Sequence, residues 1–257
     1  YKHGNKEVSC CRKGKHGDIG TKHIEGSIGK VRELKHTENH GKSYGNQYNS
    51  ILESILNLEF QPEQIISEPY LISKLNCSKT LVREALVSLC DDGVLKSIPR
   101  CGYEVIRLTR EDVEDMIQLR YILEGGFLLS CIDTITEAQI EQLRNIDASY
   151  SAEDDIWKNW ETNSNFHLQL LALSRNSCAY YELKRVLSRL KRAYAQFYWG
   201  KWGATECRGS DEELHQQIIN SLAKRDPISM LEALRMDLNN FGNITCHIHD
   251  AFAYLRK

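Results

Sequence analysis

The sequence predicts a mainly α-helical protein in two parts, a small helix-and-hairpin unit followed by an all-α bundle. Three observations carry this. About sixty residues from Tyr48 read as helix, helix, tight turn, helix and then two short β-like runs. From Thr109 onward the pattern is helix after helix, and Pro227 is the only proline in that half. The helical runs also have side chains suited to capping at their starts: Ser67, Ser78, Thr109, Thr136 and Asp226.

Residues 1–46 differ from the rest of the chain. They hold half of its sixteen glycines, five of its nine histidines and an excess of Lys and Arg over Asp and Glu, with no sustained apolar period. The expectation is a flexible basic extension, able to add unspecific attraction to phosphates. His3, Cys10, Cys11, His16 and His23 fit no tetrahedral metal template. Lys2, Lys6, Arg12 and Lys13 precede no apolar segment, so no signal peptide is expected.

From residue 47 the pattern sharpens. Ile51, Ile55 and Leu58 share one helical face. "PEQII" turns the chain, and Ser67 caps "EPYLISKL", with Pro69 tolerated in the first turn. "NCS" breaks that helix and Ser78 caps the next, residues 79–91, whose stripe is Val82, Ala85, Leu86 and Leu89. Gly93 ends it. "VLKSI" and "YEVIRL" then flank the turn "PRCG". This order is a winged helix-turn-helix over residues 47–108, with helix 79–91 as the one suited to a DNA major groove. Residues 109–257 read as a bundle of about six helices: 110–131, 137–150, 153–174, about 177–199, about 209–224, and 227 to about 254.

Composition narrows the possible functions. The hydrophobic fraction of 41% and charged fraction of 26% are those of a chain with an ordinary packed core. No apolar run reaches eighteen residues, so neither a spanning helix nor a membrane partner is expected. Nine scattered cysteines without a C-x-x-C pair argue against zinc fingers and suggest reduced thiols in the cytoplasm. The absence of a Gly-rich phosphate loop and of a G-x-S-x-G elbow removes the commonest nucleotide-binding and hydrolase readings. With a net charge of −2, any nucleic-acid binding must rely on locally placed cations.

Such cations are present. Lys79, Thr80 and Arg83 open helix 79–91, beside the cap Ser78 and near Glu68, and Arg100 and Gly102 lie at the wing tip. Arg and Lys recognise guanine edges, Thr bonds phosphate, an Arg at a wing enters a minor groove, and Gly permits close backbone approach. Taken singly, Lys79 and Arg83 read as a solvated helix face. In the full helix-turn-helix-wing order they form a candidate set of contacts to double-stranded DNA.

The stretch "ISEPYLISKLNCSKTLVREALVSLCDDGVLKSIPRCGYEV" resembles the winged-helix domain of GntR-type bacterial transcription regulators. The family core runs S-R-T-P-V-R-E-A-L, then L-x-x-x-G-[LV] and a wing ending in R-G. Here Lys79 stands for the first Arg and Leu81 for Pro, and Cys101 lies between Arg100 and Gly102. Lys keeps the charge but loses the bidentate fork. "TREDVEDMIQLRYILEG" and "TEAQIEQL" resemble the opening of the FadR-type effector domain known as FCD. The resemblance implies a homodimeric regulator, commonly a repressor, that reads a near-palindromic operator and responds to a small carboxylate metabolite.

It also implies a divalent metal in the bundle. The family places D-x-x-F-H on one helix, a His on a later one and a further His on the last. Here "NSNFH" supplies Asn163 and His167, "DEELHQQII" supplies His215, and Asp237 stands where the last His is usual. Residues 215–224 and 227–237 form a hairpin turning near Asp226-Pro227, which brings His215 and Asp237 to one height. Asn for an anion and Asp for an imidazole conserve the site's charge. The donor set suits zinc first, with manganese, nickel or iron as alternatives. The competing reading is a metal-free site in which both histidines bond Asp237. Arg120 matches a family arginine that pairs with an effector carboxylate, and an ion pair with Glu124 is the alternative. Two other functions stay open: a metal-dependent enzyme using the His/His/Asp set, or a DNA-binding protein whose helical half only dimerises.

Overall fold

The computed structural model describes residues 41–148, 156–198, 211–241 and 244–256. Most of the expected extension, residues 1–40, lies outside them. Residues 41–46, read from the sequence as part of that extension, instead open helix α1 (Gly41–Leu56). The helix is anchored by Ile51 and Ile55 in the core, and the Tyr48 hydroxyl donates to Asp92 Oδ2 at 2.7 Å.

The first unit continues through β1 (Ile65–Ile66), α2 (Glu68–Leu75), α3 (Lys79–Asp91), β2 (Leu95–Ile98) and β3 (Gly102–Val105). The Ser67 and Ser78 side chains accept from Tyr70 N and Leu81 N, capping α2 and α3. The sheet order is β1-β3-β2, antiparallel throughout, with Ile66 opposite Tyr103 and Leu95 opposite Val105. The two-residue strand β1 is absent from the sequence reading because it is too short to show a period. "YEVIRL" was expected to be one strand, but β3 stops at Val105 because its partner β2 begins at Leu95. Leu108 leaves the sheet and packs into the core of the second unit.

The second unit is built from α4 (Arg110–Cys131), α5 (Glu137–Asp147), α6 (Ile156–Ala172), α7 (Ser177–Tyr198), α8 (Asp211–Ala223) and α9 (Pro227–Asn239). Thr109 and Thr136 form capping boxes with Asp112 and Gln139. Asp226 caps α9, its Oδ1 accepting from Ile228 N and Ser229 N at 3.1 Å each. The expectation that the last helix runs to about residue 254 is corrected. It ends at Asn239, followed by β4 (Asn240–Phe241) and β5 (Ile244–Thr245), then a 3₁₀ turn at Ala253–Arg256. The sequence "NNFGN" concentrates residues of low helix propensity at that point. Phe241, Cys246, Ile248 and Phe252 then return the chain to the bundle core. No helix among the described residues is long and apolar enough to cross a membrane.

The side chains of Arg192 and Gln196 hydrogen-bond to the first unit and its linker. Both come from one face of α7, since Arg192 and Gln196 are four residues apart. The Arg192 Nη2 donates to the Gly93 carbonyl at 2.9 Å, just past the end of α3, where Gly93 takes φ +64°. Gln196 clasps Leu108 twice: its Nε2 donates to the Leu108 carbonyl at 2.5 Å, and its Oε1 accepts from Leu108 N at 3.0 Å.

Candidate functional site

The bundle brings His167, His215 and Asp237 together, all buried, with one potential ligand atom from each within 4.8 Å of the others. His167 projects from α6, while His215 and Asp237 face each other across the α8–α9 hairpin. The His167 Nε2 lies 3.1 Å from Asp237 Oδ2, and the His215 Nε2 lies 3.5 Å from Asp237 Oδ1. Both Nε2 atoms therefore converge on one carboxylate. Asn163, one turn before His167, donates from Nδ2 toward the His215 Nε2 at 3.4 Å.

Behind each imidazole stands a carboxylate absent from the sequence-derived ligand set. The His167 Nδ1 donates to Glu124 Oε2 at 2.7 Å, and the His215 Nδ1 donates to Asp147 Oδ1 at 2.8 Å. Asp147 also accepts from Gln216 Nε2 at 2.5 Å. Phe166 stacks on the His215 ring at 3.8 Å between centroids, fixing its plane. Carboxylates behind the ring nitrogens are the arrangement that orients imidazoles as metal ligands. Nothing in the sequence tied Asp147, at the end of α5, to His215. Glu124 entered the sequence reading only as a partner for Arg120.

That pairing exists. The Arg120 Nε donates to Glu124 Oε1 at 2.8 Å, with Arg120 only 4% exposed and Glu124 fully buried. Arg120 Nη2 is also buried and has no hydrogen-bond partner among the described residues. Burial alone pushes the Glu124 carboxyl up, but Arg120 and His167 outweigh it and hold the group below its ordinary value. Asp237 is likewise lowered, with His167, His215 and Arg120 overcoming its burial. For His167, burial pulls down and Glu124 and Asp237 pull up, leaving the imidazole above its ordinary value. Three buried carboxylates, Glu124, Asp147 and Asp237, thus share the site with one guanidinium. Buried charge of this kind demands compensation, and a divalent cation fits both that excess and the N/O donor set.

The candidate DNA surface is the start of α3 and the wing. Ser78, Lys79, Thr80, Arg83 and Arg100 are exposed, while Glu68 is half-buried. Lys79 Nζ lies 3.8 Å from Glu68 Oε1. The first turn of α3 contains no acid, and the positive end of the helix dipole there favours an anion. Tyr103 on β3 feels the charges of both Glu68 and Arg83, a neighbourhood that no local pattern reveals. Arg100 adopts φ +65° in the wing turn. Gly102, at φ +134°, would set an added Cβ 2.5 Å from the Ile66 carbonyl, so the close approach it permits is to β1 of its own sheet.

The described fold agrees with comparisons to known proteins. Residues 44–105 match the bacterial regulatory proteins of the gntR family, and residues 115–240 match the FCD domain. The chain belongs to the GntR family, in its FCD-bearing form. The chain is 30% identical over 136 residues to the HTH-type transcriptional regulator YdhC of Bacillus subtilis, covering 50% of this chain and 59% of that one. It is 26% identical over 168 residues to the Nta operon transcriptional regulator of Aminobacter aminovorans, covering 65% and 77%. Among solved structures, Escherichia coli McbR/YncC superposes with a TM-score of 0.62 at 16% identity, over 77% of this chain and 94% of that one. The transcriptional regulator GntR from Rhodococcus sp. RHA1 gives 0.60 at 20%, over 77% and 95%. At those identities the structures show a shared fold. The family and these relatives are transcriptional regulators, not enzymes.

Proposed function

We propose that this GntR-family protein is a sequence-specific DNA-binding repressor whose operator affinity is set by a small carboxylate bound beside a divalent metal in the helical unit. The observation that carries the reading is the convergence of His167, His215 and Asp237, backed by Glu124 and Asp147, next to the unpartnered Arg120 Nη2. His167 Nε2, His215 Nε2 and the Asp237 carboxylate would hold the metal, with Asn163 able to present its amide oxygen after rotation. Zinc suits this set best, with manganese, nickel and iron as alternatives. When bound, the metal supplies a fixed positive charge that attracts an anionic effector. Arg120 supplies the second anchor, since a buried guanidinium nitrogen without an acceptor is complementary to a carboxylate.

At the other end, Lys79, Thr80 and Arg83 would contact bases and phosphates in a major groove, with Ser78 and Glu68 holding the helix start and Arg100 and Gly102 at the wing. A homodimer would present two such heads to a near-palindromic operator. Effector binding would shift the balance between bundle arrangements, and the Arg192 and Gln196 contacts would pass that shift to the end of α3 and to the linker at Leu108.

Electrophoretic shift on DNA upstream of its own gene, together with metal analysis of protein purified without an affinity-tag metal, tests this reading. The expected result is a sequence-preferring shift at moderate salt, lost in Arg83→Ala. One metal per chain is expected, absent from His167→Ala/His215→Ala. DNA binding without sequence preference would overturn the regulatory reading, and a metal-free parent protein would overturn the sensor site.

A further inference from the structure

The chain Arg120–Glu124–His167 has a consequence for which ring nitrogen of His167 carries hydrogen. Glu124 uses one oxygen for each neighbour: Oε1 accepts from Arg120 Nε at 2.8 Å, and Oε2 faces His167 Nδ1 at 2.7 Å. A carboxylate only accepts, so the hydrogen on this side of the ring belongs to Nδ1. That leaves Nε2, 3.1 Å from Asp237, as the nitrogen whose lone pair becomes available to a metal. Glu124 is fully buried and has no water-facing alternative, and the ring itself is 1% exposed. Arg120 in turn fixes Glu124 by a salt bridge from one turn earlier on α4.

We infer that Glu124 is a positioning residue that assigns the His167 hydrogen to Nδ1, and that Arg120 supports this assignment by holding the Glu124 carboxylate so that its second oxygen faces the ring. This rests on the metal reading of the site for its consequence, though the placement of the hydrogen does not depend on it. Arg120 is therefore a remote determinant of metal affinity as well as a candidate anchor for the effector.

The inference separates a charge from a shape. In Glu124→Gln the side chain keeps its size, but one terminal atom becomes an NH₂ donor. Arg120 Nε–H demands the remaining oxygen, so the NH₂ group turns toward His167 Nδ1. The ring must then accept at Nδ1 and carry its hydrogen on Nε2, which removes the metal's lone pair. Rotating the amide instead would set its NH₂ against the Arg120 Nε–H, donor against donor in a buried site. In Arg120→Met/Glu124→Gln that demand disappears, the amide rotates freely, and its oxygen can again accept from Nδ1.

The test combines two measurements on the full chain. Nitrogen-15 spectra of labelled histidine report whether Nδ1 bears hydrogen, and zinc titration against a competing chelator reports affinity. In the parent protein Nδ1 bears hydrogen. In Glu124→Gln we expect Nδ1 bare and zinc affinity lowered about 10- to 100-fold, with circular dichroism unchanged. The double variant should recover most of the lost affinity. Nδ1 still bearing hydrogen in Glu124→Gln, or a double variant as weak as the single one, would overturn the inference. A parent protein that binds no zinc while Nδ1 becomes bare in Glu124→Gln would overturn the metal reading and still support the assignment of the hydrogen.

Discussion

At the scale of single residues, the site is a set of competitions for two imidazole nitrogens. Asn163 is the residue on which the family pattern and this chain differ most directly, since the family places an acid there. Its amide Nδ2 lies 3.4 Å from the His215 Nε2, where it occupies the lone pair that a metal would take. Asn163→Asp replaces that donor with an anionic oxygen. We expect zinc affinity to rise roughly 10-fold, because metal then gains a charged donor instead of displacing a hydrogen bond. The metal-free variant should be less stable by about 1–3 kcal/mol, because a further carboxylate joins Glu124, Asp147 and Asp237. Chelator competition and thermal unfolding check both halves, and a metal-free protein unchanged in stability would contradict the account.

At the scale of elements, α7 is the link between the two units. Arg192 is buried against the end of α3, and its guanidinium is lowered to about 10 by burial and by Arg189, with Tyr48 and Asp92 pulling the other way. A cation near the C-terminus of a helix is favourable there, and the Gly93 carbonyl gains a charged donor. Arg192→Met/Gln196→Ala removes three interunit hydrogen bonds and leaves the Gly93 and Leu108 carbonyls without these partners. Calorimetry is expected to resolve two unfolding transitions where the parent shows one, with the winged-helix transition lower by about 2–4 kcal/mol. A single unshifted transition would show that α7 does not couple the units. These contacts were not legible in the sequence, where Arg192 and Gln196 read as polar positions of an amphipathic helix. The caps were legible, because Ser67, Ser78, Thr109 and Thr136 act on backbone within three residues of themselves.

At the scale of the whole molecule, the buried network ties stability to pH. His167 lies above its ordinary value, so in metal-free protein its stabilisation is present below the unfolded value and is lost as pH rises through the raised folded value. Glu124 and Asp237 lie below theirs, so their stabilisation is present above the unfolded carboxylate values and is lost as pH falls through the lowered ones. Metal-free protein should therefore be most stable between the ordinary carboxylate and histidine ranges. Zinc competes with hydrogen for the imidazole nitrogens, so the rise in melting temperature on adding zinc should grow with pH across and above the histidine range. Differential scanning fluorimetry from pH 5 to 9, as a rough span around the ordinary histidine value, checks this. A zinc-induced shift that does not vary with pH would contradict the proposed ligation.

The sequence by itself determined the helix-and-hairpin unit, the starts of the capped helices and the family. Each of these depends on interactions a few residues apart or on periods repeated along the chain. It also placed His215 and Asp237 at one height, because a helical hairpin with a marked turn has a register that can be counted. Only the tertiary structure decided what stands behind His167 and His215 and between the two units. Glu124 meets His167 across 43 positions, Asp147 meets His215 across 68, and Arg192 meets Gly93 across 99. No local pattern encodes such meetings. They follow from how helices pack, and packing is set by whole buried faces more than by the polar residue that each face happens to carry.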